Sequence, residues 1–201
     1  MHRHCEERSD TAIQGPPGPN PGSGGPWIAT PKTARNDLHP LLEPVGPLTP
    51  ERIDLLLTLN NAHAAELSLL DASRLDGLLR QAFWAARAGD VDAFVLTLDQ
   101  KADYDSPNHR WFRDRYPRFV YVDRIVVARA ARGRGLARAL CAGVMQAAAG
   151  AGHTIVTAEI NQAPPNPASD ALHASLGFHK AGSASIHDGV KMVRYLVRSL
   201  P

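Results

Sequence analysis

A turn with two glycines, placed between a buried strand and a helix, constrains this chain more than any other feature. Residues 119–127 (FVYVDRIVV) carry the tight apolar alternation of a buried strand, and the apolar spacing from Leu136 onward predicts an amphipathic helix. Gly133 and Gly135 lie between them, where glycine lets backbone amides approach a ligand closely. Because the amides at a helix N-terminus favour negative charge, this turn predicts an anion-binding site.

Two common nucleotide-binding motifs do not fit the turn. The dinucleotide fingerprint G-x-G-x-x-G needs a third glycine at the position of Arg138, and the lysine of a P-loop is absent. A glycine turn also serves tight packing alone, with Arg132 and Arg134 in solvent. The turn by itself leaves the anion site and the packing turn as alternatives.

The pattern of residues 46–201 is that of one mixed α/β domain with a single sizeable core. The polar and aromatic segment 104–117 is expected to be a loop. In the first half of the domain the predicted elements are a helix over 50–66, a short helix capped by Asp71, and hairpin strands 83–87 and 91–98 joined at 88–90. In the second half they are a strand over 154–160 and a helix from Pro167 that ends before Gly177. Two last strands are joined at Asp188-Gly189, and the second covers 190–197.

The first 45 residues differ from the rest in composition. Ten of the 16 prolines fall within residues 1–50, and residues 15–26 have too few large side chains to offset the entropy of ordering. We therefore expect residues 1–45 to form a disordered tail. Their opening, MHRHCEERSDTAIQ, looks like a translated interspersed repeat, so the native protein is expected to start later in the chain.

Charge and hydropathy exclude several classes of partner. The formal net charge of +2 is nearly balanced, which argues against nucleic acid or a membrane surface as the main partner. No apolar run approaches the roughly 20 residues of a membrane span, so a cytoplasmic location is expected. The two cysteines, Cys5 and Cys141, predict no disulfide framework, and no set of residues predicts a metal site.

Three stretches together resemble the Gcn5-related N-acetyltransferase (GNAT) superfamily: VDRIVVARAARGRGLARAL, AEIN and NPASDALHASLGF. The resemblance implies an α/β (α+β) fold with a central, mostly antiparallel twisted sheet, helices on both faces and a splayed cofactor cleft. It also implies an acetyl-CoA-dependent N-acetyltransferase that moves the acetyl group directly to a primary amine. The first position of the family's phosphate signature is lost here, because Ala130 occupies it.

The same resemblance assigns the cofactor-binding residues. The turn and the helix start are expected to hold the pyrophosphate through backbone amides, and an amide of Val126 or Val127 is expected to face the reacting carbonyl oxygen. Asn166 is expected to bond the pantetheine arm, although asparagine before Pro167 is also a favourable helix cap without any ligand. The complete expected set is Ile125, Val126, Val127, Arg132, Gly133, Arg134, Gly135, Leu136, Ala137 and Asn166.

Two carboxylates are candidates for the base that deprotonates the amine. Glu159 matches the carboxylate that serves this role in the family's ribosomal-protein N-terminal acetyltransferases, and the alternative is a solvated strand-end glutamate or a partner of a nearby arginine. Asp123 is the second candidate; strand alternation predicts that it shares a face with Tyr121, Ile125 and Val127, and that Arg124 points the other way.

His173 stands where many family members have a tyrosine that protonates the leaving thiolate. An imidazole there is expected either to donate a proton or only to pack beside the sulfur. Cys141 is the residue that a covalent mechanism would need, but its place within the cofactor helix is typical of an inert core thiol, so direct transfer is preferred.

The acceptor amine is not identified by the sequence. Residues 60–66 and the segment 104–111 are expected to recognise it, with Glu66 or Asp105 attracting a cation. Small amines, amino-acid derivatives and protein N-termini remain alternatives, as does a non-catalytic module that binds CoA or acyl-CoA as a sensor or scaffold. A homodimer also stays open.

Overall fold

The computed structural model describes residues 42–186 and 190–201. Its strands are β1 (Leu42–Pro44), β2 (Trp84–Ala88), β3 (Ala93–Asp99), β4 (Val120–Val127), β5 (Ile155–Ala163), β6 (His179–Ile186) and β7 (Lys191–Ser199). Its helices are α1 (Pro50–Asn61), α2 (Ala72–Arg80), α3 (Pro107–Arg113), α4 (Leu136–Gly150) and α5 (Pro167–Ser175), with a short 3-10 turn at Arg129–Ala131.

The strands form one seven-stranded sheet in the order β1-β2-β3-β4-β5-β7-β6. Every neighbouring pair is antiparallel except β4 and β5, which run parallel because α4 connects them. Apolar residues of α1, α2 and α3 pack on one face of the sheet, and those of α4 pack on the other. The expected mixed α/β fold, with a mostly antiparallel sheet and helices on both faces, is confirmed.

Helix starts follow the capping residues read from the sequence. The side chains of Thr49, Asp71 and Asn166 each accept a hydrogen bond from the backbone N–H three residues later, at 3.3, 2.7 and 3.1 Å. Each cap therefore satisfies an amide that the first turn of its helix leaves free.

Two predictions about the helices differ from the structure. Helix α1 ends at Asn61 rather than at residue 66, because the Asn60 and Asn61 side chains bond backbone groups of Ser68 and Leu70 and turn the chain back. The expected loop contains helix α3, which starts at Pro107 behind the Ser106 cap and buries Phe112.

Residues 42–45, which the sequence assigned to the tail, are part of the folded domain. Strand β1 pairs with β2, and the Val45 residue that follows is only 2% exposed, so residues 42–45 belong to the domain. The boundary expected at residue 45 thus lies too late in the chain. The rest of the expected tail, residues 1–41, and the expected turn at Asp188-Gly189 lie outside the described residues.

Two irregularities of β4 shape the centre of the sheet. Its register with β3 passes from Leu96↔Arg124 to Thr97↔Val122, which leaves Asp123 as the extra residue of a β-bulge. Its pairing with β5 ends at Val122↔Ala158, and beyond that pair the two parallel strands diverge. The divergence opens a V-shaped cleft in the middle of the sheet.

Candidate active site

A cleft of about 570 Å³ occupies the gap between the diverging ends of β4 and β5. The turn before α4 and the N-terminal part of α5 line it on one side of the sheet. The connection between α1 and α2 contributes His63, Glu66 and Leu67 on the other side. The cleft therefore joins the glycine turn to the region in which the sequence placed the acceptor.

The glycine turn presents free backbone amides to this cleft. Gly133 and Gly135 have φ angles of 79° and 77°, a left-handed conformation that side chains disfavour. The first bonded amide of α4 is that of Ala139, which donates to the Gly135 carbonyl at 3.0 Å, so the amides of the three preceding residues have no intrahelical acceptor. Open space surrounds both glycines, since a Cβ at either one would meet no atom within 4 Å. These features suit an anion.

Nine of the ten expected cofactor-binding residues line the cleft, and Arg134 does not. Its Nη1 donates to Asp92 Oδ2 at 2.8 Å in a half-exposed ion pair. Arg138, which the sequence analysis left out of the set, does line the cleft, and its Nη2 donates to Ser175 Oγ at 2.8 Å. Spacing could have found Arg138, because it is the third residue of α4 and so belongs to the first turn, near Leu136.

Asn166 lies where both of its expected roles are available. Its Oδ1 caps α5 by accepting from the Ser169 amide at 3.1 Å, and the residue lines the cleft. The cap occupies the oxygen, so the side-chain amide nitrogen remains available to donate to a ligand.

Glu159 lies on β5 immediately past the last residue paired with β4. The Tyr121 hydroxyl donates to Glu159 Oε2 at 2.6 Å. Burial raises the pKa of Glu159 to about 7, and the nearby Asp123 adds to the rise, whereas the hydrogen bonds from Tyr121 and Asn108 oppose it. The carboxyl group consequently exchanges its proton near neutral pH.

Helix α3 supplies a second layer of support for Glu159. Besides its hydrogen bond to Glu159, Asn108 accepts from the Tyr195 hydroxyl at 3.1 Å. The Tyr195 ring stacks on Trp111 with the ring centroids 4.1 Å apart. The sequence did not predict Tyr121, Asn108 and Tyr195 as site residues. The Ser106-Pro107 start signal could have revealed the helix that carries Asn108, but nothing in the sequence pairs Asn108 with Glu159.

Asp123 is held in a buried ion pair. The Nε of Arg124 donates to Asp123 Oδ2 at 2.6 Å, and its Nη1 donates to Asn60 Oδ1 at 2.8 Å. The Asp123 and Arg124 side chains are only 4% and 2% exposed. The expectation that Arg124 points away from Asp123 is therefore wrong.

The bulge at Asp123 is the physical reason for this error. An extra residue shifts the alternation of side chains along the strand. Tyr121 and Val126 pack in the core beneath α1–α3, whereas Ile125 and Val127 pack on the α4 side. The face predicted for Asp123, shared with Tyr121, Ile125 and Val127, does not exist in the structure.

His173 is buried, with 2% of its surface exposed, and it lines the cleft. Its Nδ1 lies 2.8 Å from the Ser169 carbonyl oxygen, which only accepts, so the ring proton is on Nδ1. Burial lowers the pKa of His173, which favours the neutral ring. Its Nε2 is buried and has no hydrogen-bond partner among the described residues.

Cys141 is buried in α4 and is not among the residues that line the cleft. Burial raises the pKa of its thiol to about 12, so it is protonated at neutral pH. Within the described parts of the chain, no group of three potential ligands is placed to hold a metal ion.

Of the two segments expected to recognise the acceptor, one lines the cleft and the other does not. From residues 60–66, His63 and Glu66 line the cleft with Nδ1 and Oε2 3.8 Å apart, and Asn161 donates to the Glu66 carbonyl at 3.1 Å. No residue of the segment 104–111 lines the cleft, and Asp105 pairs instead with Arg74 at 3.5 Å. The structure thus brings only the first segment to the site.

The central sheet opens between two parallel strands beside a glycine turn at a helix N-terminus, and this arrangement can hold an anionic ligand at the turn. Residues 82–178 match the model of the Acetyltransferase (GNAT) family. Residues 82–178 therefore form a GNAT acetyltransferase domain, as the resemblance implied. No curated protein sequence matches the chain.

Solved structures give the same fold. The ribosomal-protein-S18-alanine N-acetyltransferase from Escherichia coli is 16% identical with a TM-score of 0.57, over 79% of this chain and 92% of that one. The ribosomal-protein-alanine N-acetyltransferase from Brucella melitensis is 21% identical with a TM-score of 0.60, over 80% and 99%. Arabidopsis thaliana NAA60 in complex with acetyl-CoA is 15% identical with a TM-score of 0.60, over 79% and 97%. At these identities the likeness shows the fold.

No helix in the described part of the chain is both long enough and apolar enough to cross a membrane.

Proposed function

We propose that this protein is an N-acetyltransferase that moves the acetyl group of acetyl-CoA directly to a primary amine. One observation carries the proposal: a single cleft contains both a helix N-terminus suited to a pyrophosphate and a carboxyl group, Glu159, whose pKa is about 7. Anion binding and proton acceptance are the two properties that this reaction requires of a protein.

The residues of the cleft fit acetyl-CoA. The free amides at the start of α4 and the open space at Gly133 and Gly135 suit the pyrophosphate, with Arg132 and Arg138 beside it. The stretch Ile125–Val127 is unpaired on the β5 side, so its outward amides are free to bond the pantetheine arm. Bound acetyl-CoA would supply an activated thioester, and an outward amide of Val126 or Val127 is proposed to stabilise charge on its carbonyl oxygen.

Glu159 is proposed as the general base. An alkyl ammonium ion has a pKa near 10 and no lone pair, so a proton must leave before the nitrogen can attack. A carboxylate with a pKa of about 7 accepts that proton far better than one with the usual value, and it is still largely ionised just above neutral pH. Asp123 is less suited, because Arg124 holds its carboxylate in a buried ion pair.

Direct transfer is preferred to a covalent intermediate on Cys141. The thiolate is the reactive form of cysteine, and the Cys141 thiol is protonated and lies outside the cleft. The free thiol also fits a reducing compartment, so a cytoplasmic location accompanies the proposal.

The acceptor is proposed to enter past His63 and Glu66. Small amines, amino-acid derivatives and protein N-termini all fit an end of the cleft that holds Glu66, Asp123 and Glu159. The test incubates the full chain with acetyl-CoA and a panel drawn from these three classes, and measures the free thiol of CoA that is released. Amine-dependent thiol release is expected. Binding of acetyl-CoA without release for any amine would instead support a CoA-binding sensor or scaffold.

A further inference from the structure

The unpartnered Nε2 of His173 marks a place where a ligand atom belongs. A buried polar atom without a partner costs free energy, roughly 1–3 kcal/mol, unless something bonds it in the working state. Nε2 is buried and lacks a partner among the described residues, although the ring belongs to the lining of the cleft. Because Nδ1 bonds the Ser169 carbonyl of the same helix, the Nε2 edge of the ring faces away from that carbonyl.

The protonation state of the ring limits what it can bind. The Ser169 carbonyl oxygen cannot donate, so the proton of the neutral ring is on Nδ1, and Nε2 carries a lone pair. The partner of Nε2 must therefore be a hydrogen-bond donor. A ligand oxygen without a hydrogen would leave the atom as unsatisfied as before.

The position of His173 indicates which part of a ligand it meets. His173 is seven positions after Asn166, about 10 Å deeper along α5. Its ring packs edge-on against Phe178 with the centroids 5.0 Å apart, and Phe178 belongs to the same apolar cluster as Val122 and Ala158, the last residues paired between β4 and β5. His173 therefore lies at the vertex of the V, where a ligand that enters from the α4 side reaches the sheet.

Resting on the proposed function, we infer that Nε2 of His173 accepts a hydrogen bond from the thiol of the product CoA, so that His173 stabilises the thiol rather than supplying its proton. Pyrophosphate at the α4 turn and an arm directed inward place the sulfur end of the cofactor at the vertex. The terminal donor there is the S–H formed in the reaction, and the nearest amide N–H of the arm lies two carbons further from the vertex. His173 is thus a ligand-binding residue of the product complex.

The proton balance closes without a proton from His173. The ammonium form of the amine gives one proton to Glu159, which later passes it to water. The nitrogen lone pair then forms the C–N bond, the C–S bond breaks with its electron pair on sulfur, and a second proton of the same nitrogen ends on sulfur. The products are the amide, the thiol and one proton in solvent, and the Nδ1 proton stays on His173 throughout.

Calorimetry with three ligands tests this inference on the full chain: CoA, desulfo-CoA, which has hydrogen in place of the thiol, and acetyl-CoA, which has no S–H. The wild-type protein is expected to bind CoA about three- to tenfold more tightly than desulfo-CoA. His173→Phe should lower that preference at least threefold while changing acetyl-CoA affinity less than twofold. His173→Gln, which retains an acceptor, should keep the preference.

Two results would overturn the inference. One is the same preference for CoA over desulfo-CoA in His173→Phe as in the wild type. The other is an equal loss of affinity for all three ligands in His173→Phe, which would point to an amide of the arm as the donor. A measurement on the wild type covers the case in which the Phe variant does not fold. The nitrogen-15 resonance of His173 Nε2 should move when CoA binds and stay in place with desulfo-CoA; equal movement with both ligands contradicts the inference. Failure of all three ligands to bind the wild type would instead refute the proposed function.

Discussion

The Tyr121 hydroxyl donates a 2.6 Å hydrogen bond to Oε2 of Glu159, across the two strands that diverge to form the cleft. This bond stabilises the ionised carboxylate and so opposes the rise in the pKa of Glu159 that burial causes. The balance between burial and this hydrogen bond sets the pH range in which the site can act.

The rate of thiol release should follow the ionisation of Glu159. A base must be unprotonated, so kcat is expected to fall as the pH drops through about 7. The groups that surround the carboxyl group are Asp123, Tyr121, Tyr195 and Asn108. Initial rates at saturating acetyl-CoA between pH 5.5 and 9 would show the midpoint. A rate that stays flat from pH 5.5 to 8 would assign the proton transfer to another group or to water.

Tyr121→Phe should move the midpoint of this fall in kcat to higher pH. Removing the hydroxyl removes a hydrogen bond that lowers the pKa of Glu159, so the carboxyl needs a higher pH to ionise. The comparison is between full pH profiles of the variant and the wild type. Tyr116→Phe serves as a control, since it removes a phenol hydroxyl beside the same core that is not among the groups acting on Glu159. An unchanged or lower midpoint in Tyr121→Phe would contradict the assignment of the fall in kcat to the protonation of Glu159.

Glu159→Gln separates catalysis from folding. Turnover should fall by roughly 10²–10⁴-fold, because the base is lost, while acetyl-CoA affinity changes little. The free energy of unfolding of the variant should instead rise at alkaline pH. The folded-state pKa of about 7 exceeds the ordinary value of 4.5, so the wild-type protein loses stability as the pH rises through this window.

Glutamine cannot ionise and retains an acceptor for Tyr121. The variant is therefore expected to be about 1–3 kcal/mol more stable than the wild type at pH 8, and about equal to it at pH 4.5. Chemical denaturation at the two pH values measures the difference. A variant that loses both turnover and stability at pH 8 would indicate that Glu159 is a structural residue.

Gly135→Glu should abolish acetyl-CoA binding, because it places a carboxylate beside the free amides at the start of α4. Gly135→Ala separates charge from backbone strain. It should cost about 1–2 kcal/mol of stability from the φ angle of 77°, although a Cβ meets no atom within 4 Å. Arg134→Ala is the matched control, and since Arg134 pairs with Asp92 outside the cleft, affinity by calorimetry should stay within about twofold.

Local patterns predicted the fold well because their causes are local. The alternation of apolar residues predicted β4. Gly135 and the apolar spacing after it predicted α4. The side chains around Glu159 could not be predicted in the same way, since Tyr121, Asn108 and Tyr195 meet it from separate elements. Only the folded sheet brings them together.

The bulge shows a second limit of sequence patterns. An extra residue in β4 leaves no mark in the apolar alternation of residues 119–127, because Asp123 and Arg124 are both polar wherever they point. Their pairing depends on the register with β3, which the sequence of one strand does not specify. The predicted orientation of Asp123 is wrong for this reason, although Asp123 does line the cleft.

The Asp123–Arg124 ion pair gives the last prediction. Both side chains are almost fully buried, and Arg124 also donates to Asn60 of α1, so removing one charge leaves the other buried without a partner. Arg124→Met and Asp123→Asn should each lower the free energy of unfolding by about 3–5 kcal/mol in denaturant titrations. The double variant should recover part of that loss, because it leaves no unpaired charge. Additive losses in the double variant would show that the two residues act independently, and a full loss of turnover in a stable Asp123→Asn protein would return Asp123 to the role of base.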